Sequence, residues 1–169
     1  MTPDALDQAS IQRHSKSFAL AAKLLSSSTR PHVEQLYRLC RAVDDIADRA
    51  QSGAEAARAL AALLHAIDAS EPHPWLDSLH ALPGNIAQRH RYLRRLISAV
   101  SSDLQLVRIA DEDALLDYAY GVAGSVGLLL MPVLGAHVEQ AKIAAASLGM
   151  AMQLSNIARD VVEDAGLNR

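Results

Sequence analysis

The sequence predicts an all-α fold, a helical bundle in one domain spanning residues 1–169. Three observations carry that prediction. Ala and Leu dominate while aromatic residues make up only 4%, a balance that favours helices because aromatic and β-branched side chains lose rotamer freedom in them. Apolar residues recur with helical period nearly throughout, and no segment reads as a strand. Half of the chain is apolar, enough for a sizeable core.

A first helix is predicted over 5–26, ended by the cluster SSST at 26–29. A second covers 29–50, with Ser28 as its N-cap and Pro31 tolerated in the first turn. Ser52 and Glu55 have capping-box spacing and open a third helix, which stops near SEPHP. Residues 70–85 contain Pro72, Pro74, Pro83 and Gly84, and read as a loop. A fourth helix is expected over 86–102. A fifth runs from near Asp111 to Leu130, where Pro132 interrupts it. A sixth covers 136–164.

Composition excludes several classes. A net charge of −3 gives no concentrated positive face for nucleic acid. The run Arg89, Arg91, Arg94, Arg95 reads as a solvated helix face. Cys40 is the single cysteine, so no disulfide framework exists and a reducing, cytoplasmic setting is expected. MTPDALDQAS at the N-terminus does not look like a signal peptide. The longest apolar run, GVAGSVGLLLMPVLG, falls short of the roughly 20 residues of a membrane span, so a soluble protein is expected.

CRAVDDIADRA at 40–50 sets three aspartates into an apolar helix. On a wheel of 100° per residue, Leu36, Leu39, Cys40, Val43, Ile46 and Ala47 form one arc. Tyr37, Arg41, Asp44 and Asp48 lie immediately beside it; Asp45, Arg38 and Arg49 point towards water. In the 136–164 helix, Ala146, Gly149, Gln153, Asn156, Asp160 and Asp164 share a stripe flanked by Met150, Leu154, Ile157 and Val161. A carboxylate beside a core must be solvated or paired, because burying it alone costs several kcal/mol. An outer face in water is one solution. A cavity holding metal ions is the other.

The chemistry two such stripes suit is Mg²⁺-dependent. Mg²⁺ takes oxygen ligands, uses a few carboxylates and lets substrate phosphates fill its remaining positions. Ions held between the stripes would neutralise charge on a leaving diphosphate. Arg41 would add a donor fork suited to phosphate oxygens. The seven histidines are scattered and give no zinc pattern.

YAYGVAGSVG at 118–127 places Gly121, Gly124 and Gly127 inside a helix, each costing about 1 kcal/mol against alanine. Tight helix contact explains them, and so does room for a ligand. Tyr118, Gly121, Val122, Ser125 and Leu129 share one stripe. With Ala146 and Gly149 it reads as a polar rim above an apolar channel, a match to a diphosphate with a hydrocarbon tail.

Four segments, HSKSF at 14–18, YRLCRAVDDIAD at 37–48, YAYGVAGSVG at 118–127 and MQLSNIARDVVED at 152–164, resemble the squalene/phytoene synthase family in order and approximate spacing. The resemblance implies an all-α class I terpenoid synthase fold. It also implies head-to-head condensation of two C15 or C20 isoprenyl diphosphates through a cyclopropyl diphosphate. By position, Asp44, Asp48, Asn156, Asp160 and Asp164 would hold Mg²⁺, and Arg41 would bind diphosphate with Tyr37 nearby. Tyr118 would act in ionisation and proton handling. His14, Ser15, Ser17 and Phe18 would close over a substrate head group, with Val122, Gln153 and Asn156 also contacting substrate. NADPH would be needed only by a squalene-type member; phytoene-type is the slight preference.

Family members continue for roughly a hundred residues beyond the second acidic motif. This chain resembles the N-terminal part of that longer fold, and the apolar sides of its fifth and sixth predicted helices are expected to be exposed. Self-association or a partner chain covering those sides, and peripheral membrane contact, are therefore expected. The competing reading is a non-catalytic helical binding or assembly protein that keeps the family fold.

Overall fold

A computed structural model describes residues 20–105 and 109–166, excepting the side chains of 162–166. Every regular element among these residues is helical. Only the end of the predicted first helix is described: it closes at Ala22, one turn before the serine cluster. Arg30 then reaches back to the carbonyls of Ala22, Lys23 and Leu25 at 3.1–3.3 Å, satisfying acceptors that a helix end leaves bare.

Helix α1, Arg30–Arg49, carries Pro31 in its first turn as expected. Its N-cap is Thr29 rather than Ser28, and no side chain caps it. The cluster folds on itself instead, with Ser26 Oγ accepting from the Thr29 amide at 3.1 Å. α2, Gly53–Ala69, opens as predicted: Ser52 accepts from the Glu55 amide, and Glu55 Oε2 accepts from the Gln51 amide at 3.1 Å.

The stretch read as a loop contains α3, Pro74–His80. Pro74 occupies the first turn, where no amide is needed, and His73 Nδ1 accepts from the Trp75 amide at 3.3 Å. Trp75, Leu76 and Leu79 then bury against the core. The prolines begin this helix; they do not break it.

α4, Ile86–Ser102, starts at Asn85, which caps the Gln88 amide. Of its arginines, Arg91 and Arg94 lie on the expected solvated face, while Arg89 and Arg95 do not. Arg89 is only 6% exposed, Arg94 pairs with Asp68, and Arg95 bonds Asp117 and lies over the Tyr120 ring.

The predicted fifth helix is three pieces: α5, Glu112–Ala119, a π turn at Tyr120–Gly124, and α6, Ser125–Val133. The Ser125 amide bonds Tyr120 O, five residues back, which admits one extra residue and rotates α6 relative to α5. Pro132 sits inside the last turn and does not end the helix at Leu130. Glu112–Val133 is long and apolar enough by length and composition to cross a membrane, a property the shorter apolar run did not reveal. Here it packs between α4 and the final helix, α7, Glu139–Gly166.

α1, α2, α3, α4 and α6 share one core built on Leu36, Leu39, Leu60, Leu63, Leu79, Leu93, Ile97 and Leu129. α7 lies on the π turn and α6. Its other side is open: Ile143 is 74% exposed, and Leu148, Met152 and Val161 are also exposed, in a helix whose stretch 143–158 has no charged residue. The expected bare surface is therefore on α7, while most of α6 is covered.

Candidate active site

α1 presents Arg41, Asp44 and Asp48 one turn apart, and they line a cavity of about 260 Å³. Val100 and Asp103 from the end of α4, Tyr118 from α5, Val122 from the π turn and Gln153 from α7 complete the lining. Six residues singled out from sequence (Arg41, Asp44, Asp48, Tyr118, Val122 and Gln153) thus converge from three separate segments. Tyr118 donates to Asp103 Oδ2 at 2.9 Å.

Asp103 was not anticipated. A carboxylate at a helix C-terminus opposes the macrodipole, and Asp103 is the C-cap of α4. That local misfit was the available signal that its position serves something else.

The electrostatics follow from crowding. Burial pushes the Asp44 carboxyl up to about 6; Arg41 opposes the shift, while Asp48, Asp45 and Asp103 reinforce it. Burial also raises the Tyr37 phenol, with Arg41 opposing; Tyr37 is half-buried, outside the cavity lining. The Cys40 thiol is buried and free, and burial holds it protonated.

Asp45 departs from the wheel. It is 4% exposed, with Arg41 Nη2 at 2.7 Å from Oδ1 and Arg49 Nη2 at 3.1 Å from Oδ2. The wheel sent it to water, but α2 covers that flank: Asp45 and Arg49 line a second cavity with Ala56, Ala59 and Leu63. Arginines one turn before and one turn after compensate its charge.

Along α7, Gln153 reaches the cavity, but Asn156 and Asp160 are not among its lining residues. Asn156 is exposed. Arg159 forks onto Asp160 with two bonds of 2.6 Å and lowers its carboxyl below the usual range. His14, Ser15, Ser17, Phe18 and the side chain of Asp164 lie outside the described residues.

The glycine stripe divides between the two readings. A Cβ at Gly127 would strike the Ala145 carbonyl, and one at Gly149 the Ala123 carbonyl. These glycines let α7 and the 120–133 segment touch backbone to backbone. Gly121 packs on Ala99, Ser125 is buried and bonds Gly121 O at 2.7 Å, and Leu129 is in the core. Below Tyr118 and Val122 the stripe is packed against neighbouring helices and does not line a channel.

Could a hard divalent cation fit here? Asp44, Asp48 and Asp103 face one polar cavity, and burial, reinforced by the neighbouring acids, raises the Asp44 carboxyl. No three acidic, His or Cys side chains among the described residues are grouped closely enough to hold a metal ion by themselves. A site that leaves most positions to water and phosphate is the Mg²⁺ habit. The donor set fits.

The sequence profile described as squalene/phytoene synthase matches residues 11–169. The phytoene synthase of Pseudescherichia vulneris is 35% identical over 99% of this chain and 59% of its own length. The 15-cis-phytoene synthase of a Paracoccus species is 34% identical over 94% and 56%. A dehydrosqualene synthase crystallised with a ligand superposes with a TM-score of 0.77 at 32% identity, over 95% of this chain and 57% of that one. A squalene synthase from Alicyclobacillus acidocaldarius gives 0.75 at 25%, over 94% and 61%. The chain spans little more than half the length of these relatives.

Proposed function

The chain belongs to the squalene/phytoene synthase family, and from that premise we propose that it carries the diphosphate-ionising half of a head-to-head isoprenyl diphosphate synthase. The substrate would be farnesyl or geranylgeranyl diphosphate, and the product would form through a cyclopropyl diphosphate. The observation that carries this is the convergence of Arg41, Asp44, Asp48, Asp103, Tyr118 and Gln153 on one cavity.

Asp44, Asp48 and Asp103 would hold Mg²⁺, with Asn156, Asp160 and Asp164 as the second set of ligands implied by the family motif. When bound, the ion supplies positive charge against the departing diphosphate. Arg41 offers a guanidinium at the same mouth and would bind phosphate oxygens. Tyr118, oriented by its bond to Asp103, would set a hydroxyl at the rim, where it can hold a proton near the reacting carbon. Val122 begins the apolar side of the mouth. His14, Ser15, Ser17 and Phe18 would close over the head group, with Tyr37 behind Arg41. NADPH would enter only for a reduced, squalene-type product. Similarity to the two bacterial phytoene synthases favours the unreduced outcome.

The open apolar side of α7 would accommodate further polypeptide, such as the additional length of the relatives, or a second copy. A cytoplasmic setting with peripheral membrane contact for the apolar substrate completes the reading.

The test is Mg²⁺-dependent pyrophosphate release from each diphosphate, lost in Asp44→Ala and Asp160→Ala, with products identified by mass with and without NADPH. A folded chain that releases none with either substrate removes activity at this length. The second reading is a non-catalytic helical binding or assembly protein that keeps the family fold. Thermal stabilisation by a non-hydrolysable prenyl diphosphate, seen only with Mg²⁺, decides for the enzyme; stabilisation indifferent to Mg²⁺ decides for the scaffold.

A further inference from the structure

The mouth contains a conflict. Arg41 stands one helical turn from Asp44 and two from Asp48 on a common lining. A guanidinium there would collapse onto the two carboxylates and cancel the charge that a cation needs. The structure contains a counterweight: Asp45, on the adjoining strip of the same helix, draws Arg41 Nη2 to 2.7 Å, while the same Nη2 keeps a longer ion pair of 3.6 Å with Asp48 Oδ2. Asp45 is enclosed, with a side chain 3% exposed. It cannot turn to water, and a lone carboxylate there would be costly. Arg49, half exposed at its outer end, supplies the second counter-charge at 3.1 Å.

Neither contact is aligned as a hydrogen bond, and Arg41 Nε also lacks a partner. The guanidinium is therefore held by charge rather than by aligned hydrogen bonds.

Resting on the reading of the cavity as a cation and diphosphate mouth, we infer that Asp45 is a positioning residue: it draws Arg41 towards itself and leaves it only the longer ion pair with Asp48. That bias weakens the hold of Arg41 on Asp44 and Asp48, which leaves them to the cation, and keeps the guanidinium at the mouth for phosphate. Asp45 touches neither ligand and acts through Arg41.

The experiment is a double-variant cycle on the full chain, with Mn²⁺ alone as the probe and free ion followed by electron paramagnetic resonance. Asp45→Asn should bind Mn²⁺ about fivefold to tenfold more weakly, because Arg41 falls onto the acids. Arg41→Ala alone should change affinity by less than about threefold, since the guanidinium is already drawn towards Asp45. The double variant should return to wild-type affinity. Charges acting independently through space would instead give additive effects; additivity, or a double variant as weak as Asp45→Asn, overturns the inference. Should Asp45→Asn fail to fold, Arg41→Ala still decides: a tightening of about tenfold would mean that Arg41 already neutralises the acids in the native chain. A wild-type chain that binds no Mn²⁺ overturns the reading of the cavity, and this inference with it.

Discussion

Tyr118 Oη donates to Asp103 Oδ2 at 2.9 Å, tying the first helical piece of the 112–133 segment to the end of α4. The bond spans the rim of the cavity, so it orders two lining residues together. Tyr118→Phe removes one partly exposed hydrogen bond and should cost no more than about 1 kcal/mol in urea unfolding. Asp103→Asn should do more to the site than to the fold, weakening Mn²⁺ binding at least about threefold. Unchanged binding in Asp103→Asn would remove that residue from the mouth.

The backbone contact between α7 and the π segment rests on glycines. Gly149→Ala places a methyl against the Ala123 carbonyl, and backbone on both sides has no rotamer with which to yield. Overpacking of this kind should cost about 2–3 kcal/mol and loosen Gln153 at the cavity. Gly53→Ala is the control. Its nearest neighbour would be the Leu104 carbonyl at 3.8 Å, so the helix preference of alanine should stabilise by about 0.5–1 kcal/mol. Equal losses in the two variants would refute the packing account.

What could be read from sequence was whatever depends on one helix at a time. The period of α1 set Leu36, Leu39, Cys40 and Val43 in the core and Asp44 and Asp48 beside it. Where a second element decides, one wheel fails. Asp45 faces α2, and nothing in a wheel says that a flank is occupied. Asp103 ends α4 and joins the cavity only through the fold. Pro74 looked like a breaker because α3 is short; its identity as a helix rests on the burial of Trp75, Leu76 and Leu79. The π turn has no periodic signature at all, and it carries Val122 at the mouth while its own Gly121 and Gly124 pack against neighbouring side chains.

Arg89 offers a stability test independent of the site. It is buried, its Nε and Nη1 have no hydrogen-bond partner, and burial lowers its pKa. A charge held in that state opposes folding. Arg89→Met keeps the stem volume and removes the cation, and should raise stability by about 1–3 kcal/mol in thermal unfolding. A loss of similar size would show that the guanidinium has a stabilising partner in solution.

The acidity of Asp44 should be visible in the pH dependence of stability. Its carboxyl is raised from an ordinary 3.8 to about 6, chiefly by burial. Between those values the folded chain binds the proton that the unfolded chain releases, so folding is favoured at the acid end. Stability from this group is therefore lost as pH rises through about 6, by roughly 2–3 kcal/mol in all. His90 contributes with the opposite sign. Burial, His80, Arg94 and Arg89 lower its pKa, so stability is lost as pH falls through its ordinary value of 6.5. The raw profile mixes the two, and the comparison that isolates Asp44 is wild type against Asp44→Asn in urea at pH 4.5 and 7. Asp44→Asn should gain at pH 7 relative to pH 4.5, since it carries no carboxylate to desolvate. Added Mg²⁺ should then erase the wild-type loss at pH 7 and leave Asp44→Asn unmoved, because the cation takes the place that the proton held. A parallel pair of profiles, with and without Mg²⁺, would mean that Asp44 titrates like an ordinary surface acid and that the cavity has no unmet need for positive charge.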